Sequence, residues 1–314
     1  MATRPVRSPD DPVPEVLGPI LGTGVAVVEV RRTGTTLAGA FAFVSIDGAP
    51  RFVKWTRPEC RSEAKAERNR RECRVLTDAG RREDVPVPRC HAAIALDDGS
   101  STIVLDDLSA TWAPSAPDVP RWRERAVDAL ATLHSAFSDG DRPLAHERPG
   151  PSVEEVRARL RARVRGMAAE EAVPSEQLAA LERIVEGDEW AGSVRRAAAG
   201  DRVTLLHGDA HPGNFLYERS GDRAMLVDWE MVEVGVATDD LAMFLGFHGP
   251  PDLGPLLHRY RSAVGADDEA LAADWRGSVL RLPLVVTAFW QNGVRGERLR
   301  RSLDQALARV DALA

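Results

Sequence analysis

The chain contains 314 residues, of which 44% are hydrophobic and 28% charged, a composition that suits a soluble protein with room for two cores. The net charge of -7 argues against nucleic acid as the main partner, because phosphate backbones are bound by clustered basic residues. The longest apolar stretch near the C-terminus, Leu282–Trp290, is too short to span a bilayer, so a membrane protein is not expected either. The N-terminus lacks the apolar core of a signal peptide, and the three cysteines form no CxxC pair, which together predict a cytoplasmic protein.

The first part of the chain predicts a small antiparallel sheet. Residues 1–15 are rich in proline and charge and are expected to form a disordered tail. Three strand-like runs then follow, at Val25–Val30, Ala40–Ile46 and Arg51–Trp55, with a turn at Asp47-Gly48 before the third. This pattern predicts a three-stranded meander.

A charged helix and two further strands complete the predicted N-terminal lobe, residues 16–109. The helix is expected from about Arg61 to Ala79, with Gly80 as its end. Prolines then break the chain before two strands, Cys90–Leu96 and Thr102–Leu105.

The rest of the chain, residues 110–314, is predicted to form a larger and mostly helical lobe. Residues 152–199 predict two or three helices, separated at Pro174 and Gly187. The C-terminal part predicts further helices at Leu253–Val264, Asp267–Ala288 and Glu297–Leu313, so the fold class is α+β. His134 lies on an apolar helix face, where a hydrogen-bonded core histidine is expected rather than a metal ligand.

Residues 205–230, LLHGDAHPGNFLYERSGDRAMLVDWE, carry the strongest functional pattern. One apolar run ends in His207-Gly208-Asp209, a Pro212-Gly213 turn precedes Asn214, and a second apolar run ends in Asp228. The pattern predicts two short strands that each end in an acidic residue, with a polar loop between them. Asp209 and Asn214 have the Asp-to-Asn spacing of a kinase catalytic loop, and Asp228 stands where a metal-binding aspartate would follow. Phosphoryl transfer uses such a set, with one carboxylate to take the acceptor proton and an amide and a second carboxylate to hold magnesium.

A second interpretation of the same residues is a metallophosphoesterase site, with His207, Asp209 and His211 as ligands. That class needs further clusters of histidine and aspartate, whereas the remaining histidines are scattered singly along the sequence. A polar hairpin without chemistry would leave the spacing of five polar residues unexplained.

The segments HGDAHPGN (207–214), VDWE (227–230) and TDDLA (238–242) resemble the aminoglycoside phosphotransferase and choline kinase-like family of small-molecule kinases. The resemblance covers the chain from about residue 20 to its end. It implies a protein-kinase-like fold with two lobes, a small N-terminal antiparallel sheet plus helix and a larger helical C-terminal lobe. Trp229 and Glu230 replace the Phe and Gly of the protein-kinase DFG segment, and no long activation loop follows, which argues against a regulated protein kinase.

The resemblance also implies roles for individual residues. Asp209 would be the catalytic base, while Asn214 and Asp228 would bind magnesium. Lys54, in the third strand, would contact the α- and β-phosphates of the nucleotide. Glu72 is the expected partner of Lys54, because Val75, Leu76 and Ala79 share its helix face, whereas Glu63 and Glu67 have no such apolar neighbours.

Two further segments are expected to bind the nucleotide on the same grounds. The segment Gly34–Gly39 would cover the phosphates, although it lacks GxGxxG spacing and would otherwise read as an ordinary hairpin loop. Asp106, Asp107 and Leu108 would form the hinge, whose main-chain groups contact the base. Asp240 would be the buried aspartate that accepts N–H bonds from the catalytic loop, and it also suits a helix N-cap.

The function expected from these residues is transfer of the γ-phosphate of ATP, or of GTP, to a hydroxyl group of a small molecule in the presence of magnesium. A catalytically silent nucleotide-binding pseudokinase is the alternative. However, all five polar groups expected of an active kinase are present: Lys54, Glu72, Asp209, Asn214 and Asp228. The acceptor stays open among aminoglycosides, other natural products, amino alcohols and sugars. Acidic side chains such as Glu230, Glu233 and Asp239 would permit a cationic acceptor. The enzyme is expected to act as a monomer or homodimer, with no nucleic-acid or membrane partner.

Overall fold

The computed structural model describes residues 27–35, 39–56, 62–114, 121–138, 152–200, 202–250, 252–291 and 293–313. The predicted tail at residues 1–15 lies outside these ranges. The described residues divide into two compact units, one within Met1–Val119 plus Phe215–Val232 and the other within Pro120–Asn214 plus Glu233–Ala314. No helix in these ranges is long and apolar enough to cross a membrane.

The first unit is built on a five-stranded antiparallel sheet in the order β1-β2-β3-β5-β4. Its strands are β1 Val27–Thr35, β2 Gly39–Ile46, β3 Ala49–Thr56, β4 Cys90–Ala95 and β5 Ser101–Asp106. A second sheet, in the order β6-β8-β9, is formed by β6 Trp112–Pro114, β8 Phe215–Glu218 and β9 Ala224–Leu226. The single α-helix described in this unit is α1, Glu63–Ala79. The small antiparallel sheet with a helix agrees with the predicted fold class.

The two faces of the large sheet carry different side chains, because successive residues of a strand point to opposite sides. On one face, Val53 and Trp55 of β3 pack with apolar residues of β2 and β5 in a buried cluster. On the other face lie Lys54 and Phe52, with Lys54 paired across the strands to Phe41. The register of β3 therefore places Lys54 on the face that α1 covers.

Helix α1 begins where the side chain of Ser62 accepts the N–H of Lys65, a standard N-cap bond that satisfies one of the unpaired first-turn amides. Its buried face includes Glu72, Val75 and Leu76, as the periodicity predicts. Buried Asn69 donates to Thr56 Oγ1 at 2.9 Å and to Gly99 O at 2.8 Å, which ties the helix to the sheet.

Strand β1 is longer than the predicted run Val25–Val30. It continues to Thr35 and pairs Gly34 with Phe41, so Gly34 lies within the sheet and not in the connecting loop. Arginines at 31 and 32 interrupt the apolar pattern, but backbone pairing with β2 and the β-branched Thr33 and Thr35 extend the strand. Of the predicted phosphate-covering segment, residues 36–38 lie outside the described ranges.

The second unit is mostly helical, as predicted. Its helices are α2 Trp122–Ala136, α3 Val153–Ala169, α4 Ser175–Glu186, α5 Ala191–Ala199, α6 Thr238–His248, α7 Gly254–Val264, α8 Asp268–Gln291 and α9 Gly296–Asp311. A large apolar core joins α3, α4, α5, α8 and α9 with Ala242 of α6. Two short strands, β7 Thr204–Leu206 and β10 Glu233–Gly235, pair antiparallel in this unit.

Strands β6 and β10 were not expected from the sequence. Strand β6 pairs with β8, and β10 pairs with β7. Strands of three residues are too short to display the alternation by which a strand is recognised in a sequence.

Candidate functional site

The catalytic-loop residues lie directly after β7. Gly208 has a φ of 77°, in the left-handed region that favours glycine, and this turn follows His207 and precedes Asp209. A short 3-10 helix, Pro212–Asn214, then returns the chain, and the Asn214 Nδ2 group donates to Asp209 O at 2.9 Å and Asp209 Oδ2 at 3.1 Å. The structure therefore brings the predicted base and the predicted amide ligand into direct contact.

The loop is braced by Asp240 in the first turn of α6. Its carboxylate accepts the N–H of His207 at 2.7 Å and the N–H of Gly208 at 2.9 Å, and the side chain is almost fully buried. His134 Nε2 lies 3.3 Å from Asp240 Oδ2, and His134 Nδ1 lies 2.7 Å from the hydroxyl of Tyr260. Burial opposes ionisation, but the bonds from His134 and the His207 N–H outweigh it and hold the pKa of Asp240 below its usual value. His134 is thus a hydrogen-bonded core histidine, as expected.

We expect Asp240→Asn to lower the free energy of unfolding by about 2–3 kcal/mol at neutral pH, because an amide has one acceptor atom and leaves a buried N–H without a partner. A depressed pKa contributes stability that is present above the unfolded value, near 4, and is lost as the pH falls through the folded value. The difference from wild type should therefore shrink below about pH 4. Urea denaturation of both proteins, at neutral pH and below about pH 4, measures this difference in the free energy of unfolding.

The exposed Asp78 of α1 supplies the matched control, and Asp78→Asn should unfold like wild type. Equal stability of Asp240→Asn and wild type at neutral pH would contradict the bracing role.

In the first unit, Lys54 lies between two carboxylates. Its Nζ atom is 2.8 Å from Glu72 Oε1 and 2.6 Å from Asp228 Oδ1. Glu72 is only 2% exposed and Lys54 16%, so both charges are held mostly out of water. Burial alone would lower the pKa of Lys54, but the two carboxylates outweigh it and raise it, so the side chain is a permanent cation. Burial raises the pKa of Glu72, and the charge of Lys54 opposes that shift.

Helix periodicity had selected Glu72 over Glu63 and Glu67, and the structure brings Glu72 to Lys54. Glu67 instead forms exposed ion pairs with Arg70 and Arg71 on the outer face of α1.

Asp228 follows β9 in a left-handed conformation, with φ 65° and ψ 70°, which is uncommon for a residue other than glycine and often marks a functional position. Its carboxylate is 53% exposed and so is accessible to a cation. The next residue, Trp229, is buried and donates its indole N–H to Leu226 O at 3.0 Å, which fixes the segment that a protein kinase would use as a switch.

Glu230 forms an ion pair with Lys65 of α1 at 2.6 Å and lies 3.6 Å from Arg68. Glu230, which was expected to permit a cationic acceptor, thus ties the Asp228 segment to the helix that carries Glu72. Lys65 was not singled out from the sequence. A signal was available, because Lys54 and Lys65 are the two lysines among 41 basic residues, and each lies in a largely buried ion pair.

Of the predicted hinge residues, Asp106 is the last residue of β5, and Asp107 and Leu108 follow it. Asp106 Oδ1 accepts from His91 Nε2 at 2.7 Å and from Arg51 at 3.3 Å, while Asp107 Oδ1 accepts the N–H of Ser109. These carboxylates are thus engaged in local structure, and any contact with a base would come from the main chain. The carbonyl of Leu108 accepts the N–H groups of residues 111 and 112, whereas its own N–H has no partner within the described residues.

A group of three phenylalanines shares the sheet face with Lys54 and was missed by the sequence analysis. The ring centroids of Phe41 and Phe52 are 5.7 Å apart, those of Phe43 and Phe52 5.2 Å, and all three rings are only partly buried. A sequence signal existed. Phe41 and Phe43 are two residues apart in β2, and Phe52 is two residues before Lys54 in β3, so each pair shares one face of its strand.

The residues predicted to hold magnesium fit such a cation chemically. Both hydrogens of Asn214 Nδ2 are used by Asp209, which leaves the amide oxygen as the available ligand atom, and Asp228 offers a carboxylate. Amide and carboxylate oxygens are the ligands that Mg²⁺ prefers. Within the described ranges, no group of three or more His, Cys, Asp or Glu side chains is arranged to hold a metal ion. His207 is fully buried and His211 contacts the Gly213 N–H at 3.0 Å.

An antiparallel sheet with a lysine–glutamate pair and a helical unit with a braced Asp–Asn loop are the parts of a kinase-like phosphotransferase. The chain belongs to the APH phosphotransferase enzyme family, whose sequence model matches residues 39–275. The protein is therefore an enzyme of the phosphotransferase class. No curated protein sequence matches the chain at a significant level.

Solved structures share the fold over nearly the whole chain. Macrolide 2′-phosphotransferase MphH from Brachybacterium faecium is 20% identical, with a TM-score of 0.59 over 92% of this chain and 94% of that one. Choline kinase LicA from Streptococcus pneumoniae is 13% identical, with a TM-score of 0.60 over 96% and 98%. The GDP complex of aminoglycoside 2′-phosphotransferase-IIIa is 11% identical, with a TM-score of 0.59 over 96% of each chain. At these identities the likeness establishes the protein-kinase-like fold.

Proposed function

We propose that the protein transfers the γ-phosphoryl group of ATP or GTP to a hydroxyl group of a small molecule. The observation that carries this proposal is the position of Lys54, whose ammonium group is held by Glu72 and Asp228. A desolvated cation next to an accessible carboxylate is what binding of a magnesium–nucleotide complex requires, because the phosphates then meet both the lysine and the metal ligand.

Asp209 is the proposed base for the acceptor. Its Oδ2 atom is oriented by Asn214, and the Oδ1 atom takes no part in that bond and is assigned to the acceptor hydroxyl. As the new bond between the hydroxyl oxygen and the γ-phosphorus forms, the proton passes to Asp209 and the nucleoside diphosphate leaves with the bridging oxygen. The transition state is loose, so most of the rate enhancement comes from positioning and charge neutralisation.

Asn214 and Asp228 are the proposed magnesium ligands, through the amide oxygen and the carboxylate. When bound, the metal neutralises charge on the phosphate oxygens and orients the γ-phosphoryl group. The chain's own contribution is to hold these ligand atoms in place, through the Asp209–Asn214 bonds in one unit and the Lys54–Asp228 ion pair in the other.

The nucleotide base is assigned to the sheet face that carries Lys54. The partly exposed rings of Phe41, Phe43 and Phe52 offer an aromatic surface for stacking, and the N–H of Leu108 offers a donor to a ring nitrogen. Gly34 of β1 is paired with Phe41 of β2, and its main-chain groups are proposed to lie near the phosphates. Either purine could use the aromatic surface, so ATP and GTP both belong in the test.

The acidic side chains of Glu230, Glu233 and Asp239 were expected to permit a cationic acceptor. Glu230 is neutralised by Lys65, and Asp239 accepts from Arg281 at 2.6 Å and from Ser278 at 2.7 Å. Two of the three acidic candidates are therefore paired with basic side chains. A cationic acceptor therefore has less support in the structure than in the sequence. Neutral hydroxylated compounds are tested as acceptors alongside cationic ones.

The proposal predicts that purified enzyme, magnesium and ATP or GTP convert at least one hydroxylated compound to its phosphate ester. Macrolides, aminoglycosides, choline, amino alcohols, nucleosides and sugars form the panel, and mass spectrometry detects the gain of one phosphoryl group. Omission of magnesium should abolish the reaction. Nucleotide binding without any ester across the panel would favour a silent nucleotide-binding protein, and ester hydrolysis without nucleotide would favour a phosphoesterase.

A further inference from the structure

A cavity of about 460 Å³ opens in the helical unit between α3 and the end of α8, and no residue assigned above to phosphoryl transfer lines it. Three arginines, one glutamate and one tryptophan give the cavity its polar and aromatic walls: Arg159, Arg163, Arg295, Glu170 and Trp290. Cavities of this volume accommodate small molecules.

The α3 wall of the cavity is one continuous helix face. Arg159, Arg163, Gly166 and Glu170 are separated by four, three and four residues, which places them on the same side. A Cβ atom on Gly166 would lie 2.5 Å from the ring of Trp290, so glycine at this position allows the indole to reach the helix backbone. Glycine is unfavourable in a helix interior, and at this position that cost is offset by the room it leaves for the indole ring.

The tryptophan is held in place by its neighbours. Its indole N–H donates to Glu170 Oε2 at 3.1 Å, and the guanidinium of Arg295 lies 5.2 Å from the ring centroid. Arg295 Nε is also 3.4 Å from Glu170 Oε2, so these two charges offset each other. Trp290 is therefore a preorganised aromatic wall, and its position does not depend on Arg159 or Arg163.

Within the described residues, the remaining two arginines are not held in close ion pairs. Hydrogen bonds from Ser152 and, to a lesser degree, the charge of Arg159 lower the pKa of Glu155, one turn earlier in α3. Arg157 and Arg161 on the same helix form ion pairs with Asp188 and Glu186, whereas no ion pair of Arg159 or Arg163 occurs in the described part of the chain. Partial burial and the nearby charge of Arg159 lower the pKa of Arg163. Two like charges four residues apart on a helix repel each other, and an anion bound to both would relieve that repulsion.

We propose that this cavity binds a small molecule with a phosphate or carboxylate group, which is held by Arg159 and Arg163, and with an apolar part that contacts Trp290. The guanidinium group presents paired N–H donors that match the oxygens of a carboxylate or phosphate, and two such groups on one face define an anion site. The indole surface beside them suits an aromatic or aliphatic portion of the same molecule. Its lining shares no residue with those proposed above for phosphoryl transfer.

The test is a titration of ¹⁵N-labelled protein without nucleotide or acceptor, read from the indole N–H resonance of Trp290, which Trp290→Phe identifies by its loss. The probes are inorganic phosphate, 4-fluorobenzoate and, as the cationic counterpart, benzylamine, at constant ionic strength. Saturable shifts with an anion and none with benzylamine are expected. Tighter binding of fluorobenzoate would identify a carboxylate with an aromatic part, and tighter binding of phosphate would identify a phosphate group.

Arg163→Gln should weaken binding of the better anion by about tenfold, the effect of losing one charge-assisted hydrogen-bonding partner. Arg165→Gln removes the same charge from an exposed position of α3 that does not line the cavity, and it should bind like wild type. Arg163→Lys keeps the charge and should retain part of the affinity, which separates binding from any effect on folding. A linear, non-saturating shift, or equal losses in Arg163→Gln and Arg165→Gln, would overturn the proposal.

Discussion

Replacing Asp209 with asparagine is expected to lower kcat by about 10³-fold, because the acceptor hydroxyl loses the group proposed to take its proton. The substitution keeps the size of the side chain and an oxygen that can accept the Asn214 bond, which is 3.1 Å long in the wild-type protein. The loop should keep its fold, since its brace comes from the contacts of Asp240 with His207 and Gly208. Steady-state rates with the best acceptor of the panel measure the effect.

The same variant should bind magnesium–nucleotide with nearly unchanged affinity, because Lys54 and Asp228 are untouched. Asp222→Asn, an exposed aspartate on the β8–β9 turn, is the matched control and should keep wild-type activity. Wild-type turnover by Asp209→Asn would remove Asp209 from the mechanism. A parallel loss of nucleotide affinity and thermal stability would show instead that Asp209 is structural.

Replacing Lys54 with methionine should have the second largest effect. Loss of the ammonium group removes the proposed charge-assisted contact to the phosphates, so nucleotide affinity should fall by about tenfold or more. The variant also leaves Glu72 buried without its cation, which should cost about 3 kcal/mol of folding stability. Thermal denaturation with and without magnesium–nucleotide measures both effects, because a ligand that binds the folded state raises Tm.

The double variant Lys54→Met/Glu72→Gln separates the two contributions. Removing the stranded carboxylate should restore much of the lost stability, while nucleotide-induced stabilisation and activity stay low. Recovery of activity in the double variant would show that Lys54 serves only to neutralise Glu72.

The parts of the site that could be predicted are those encoded locally. The spacing of Asp209 and Asn214 and the position of Asp209 and Asp228 shortly after two strands are properties of one continuous segment, although the strands end earlier than predicted, at Leu206 and Leu226. Glu72 could be chosen because helix periodicity places it beside Val75 and Leu76. Each inference needed only neighbours in sequence and a known repeat of secondary structure.

Contacts between distant segments could not be predicted in this way. Lys65 is one of many charged residues of α1, and its partner Glu230 is far away in the sequence. The same holds for the arginines of α3. In the sequence, Arg159 and Arg163 look like Arg157 and Arg161, and only the positions of Asp188 and Glu186 show that the latter two are the paired ones. Buried charges are recognised by their partners, and a single sequence does not show which partners meet.

The central claim is that the terminal phosphoryl group of a nucleotide moves intact to an acceptor hydroxyl. It is tested most directly with a nucleoside triphosphate whose non-bridging γ-oxygens carry ¹⁸O, followed by mass spectrometry of the acceptor product. Transfer predicts that the labelled oxygens arrive together in the phosphate ester, and that the bridging ester oxygen is the acceptor's own. Label recovered solely in inorganic phosphate, with the acceptor unchanged across the panel, would contradict the account.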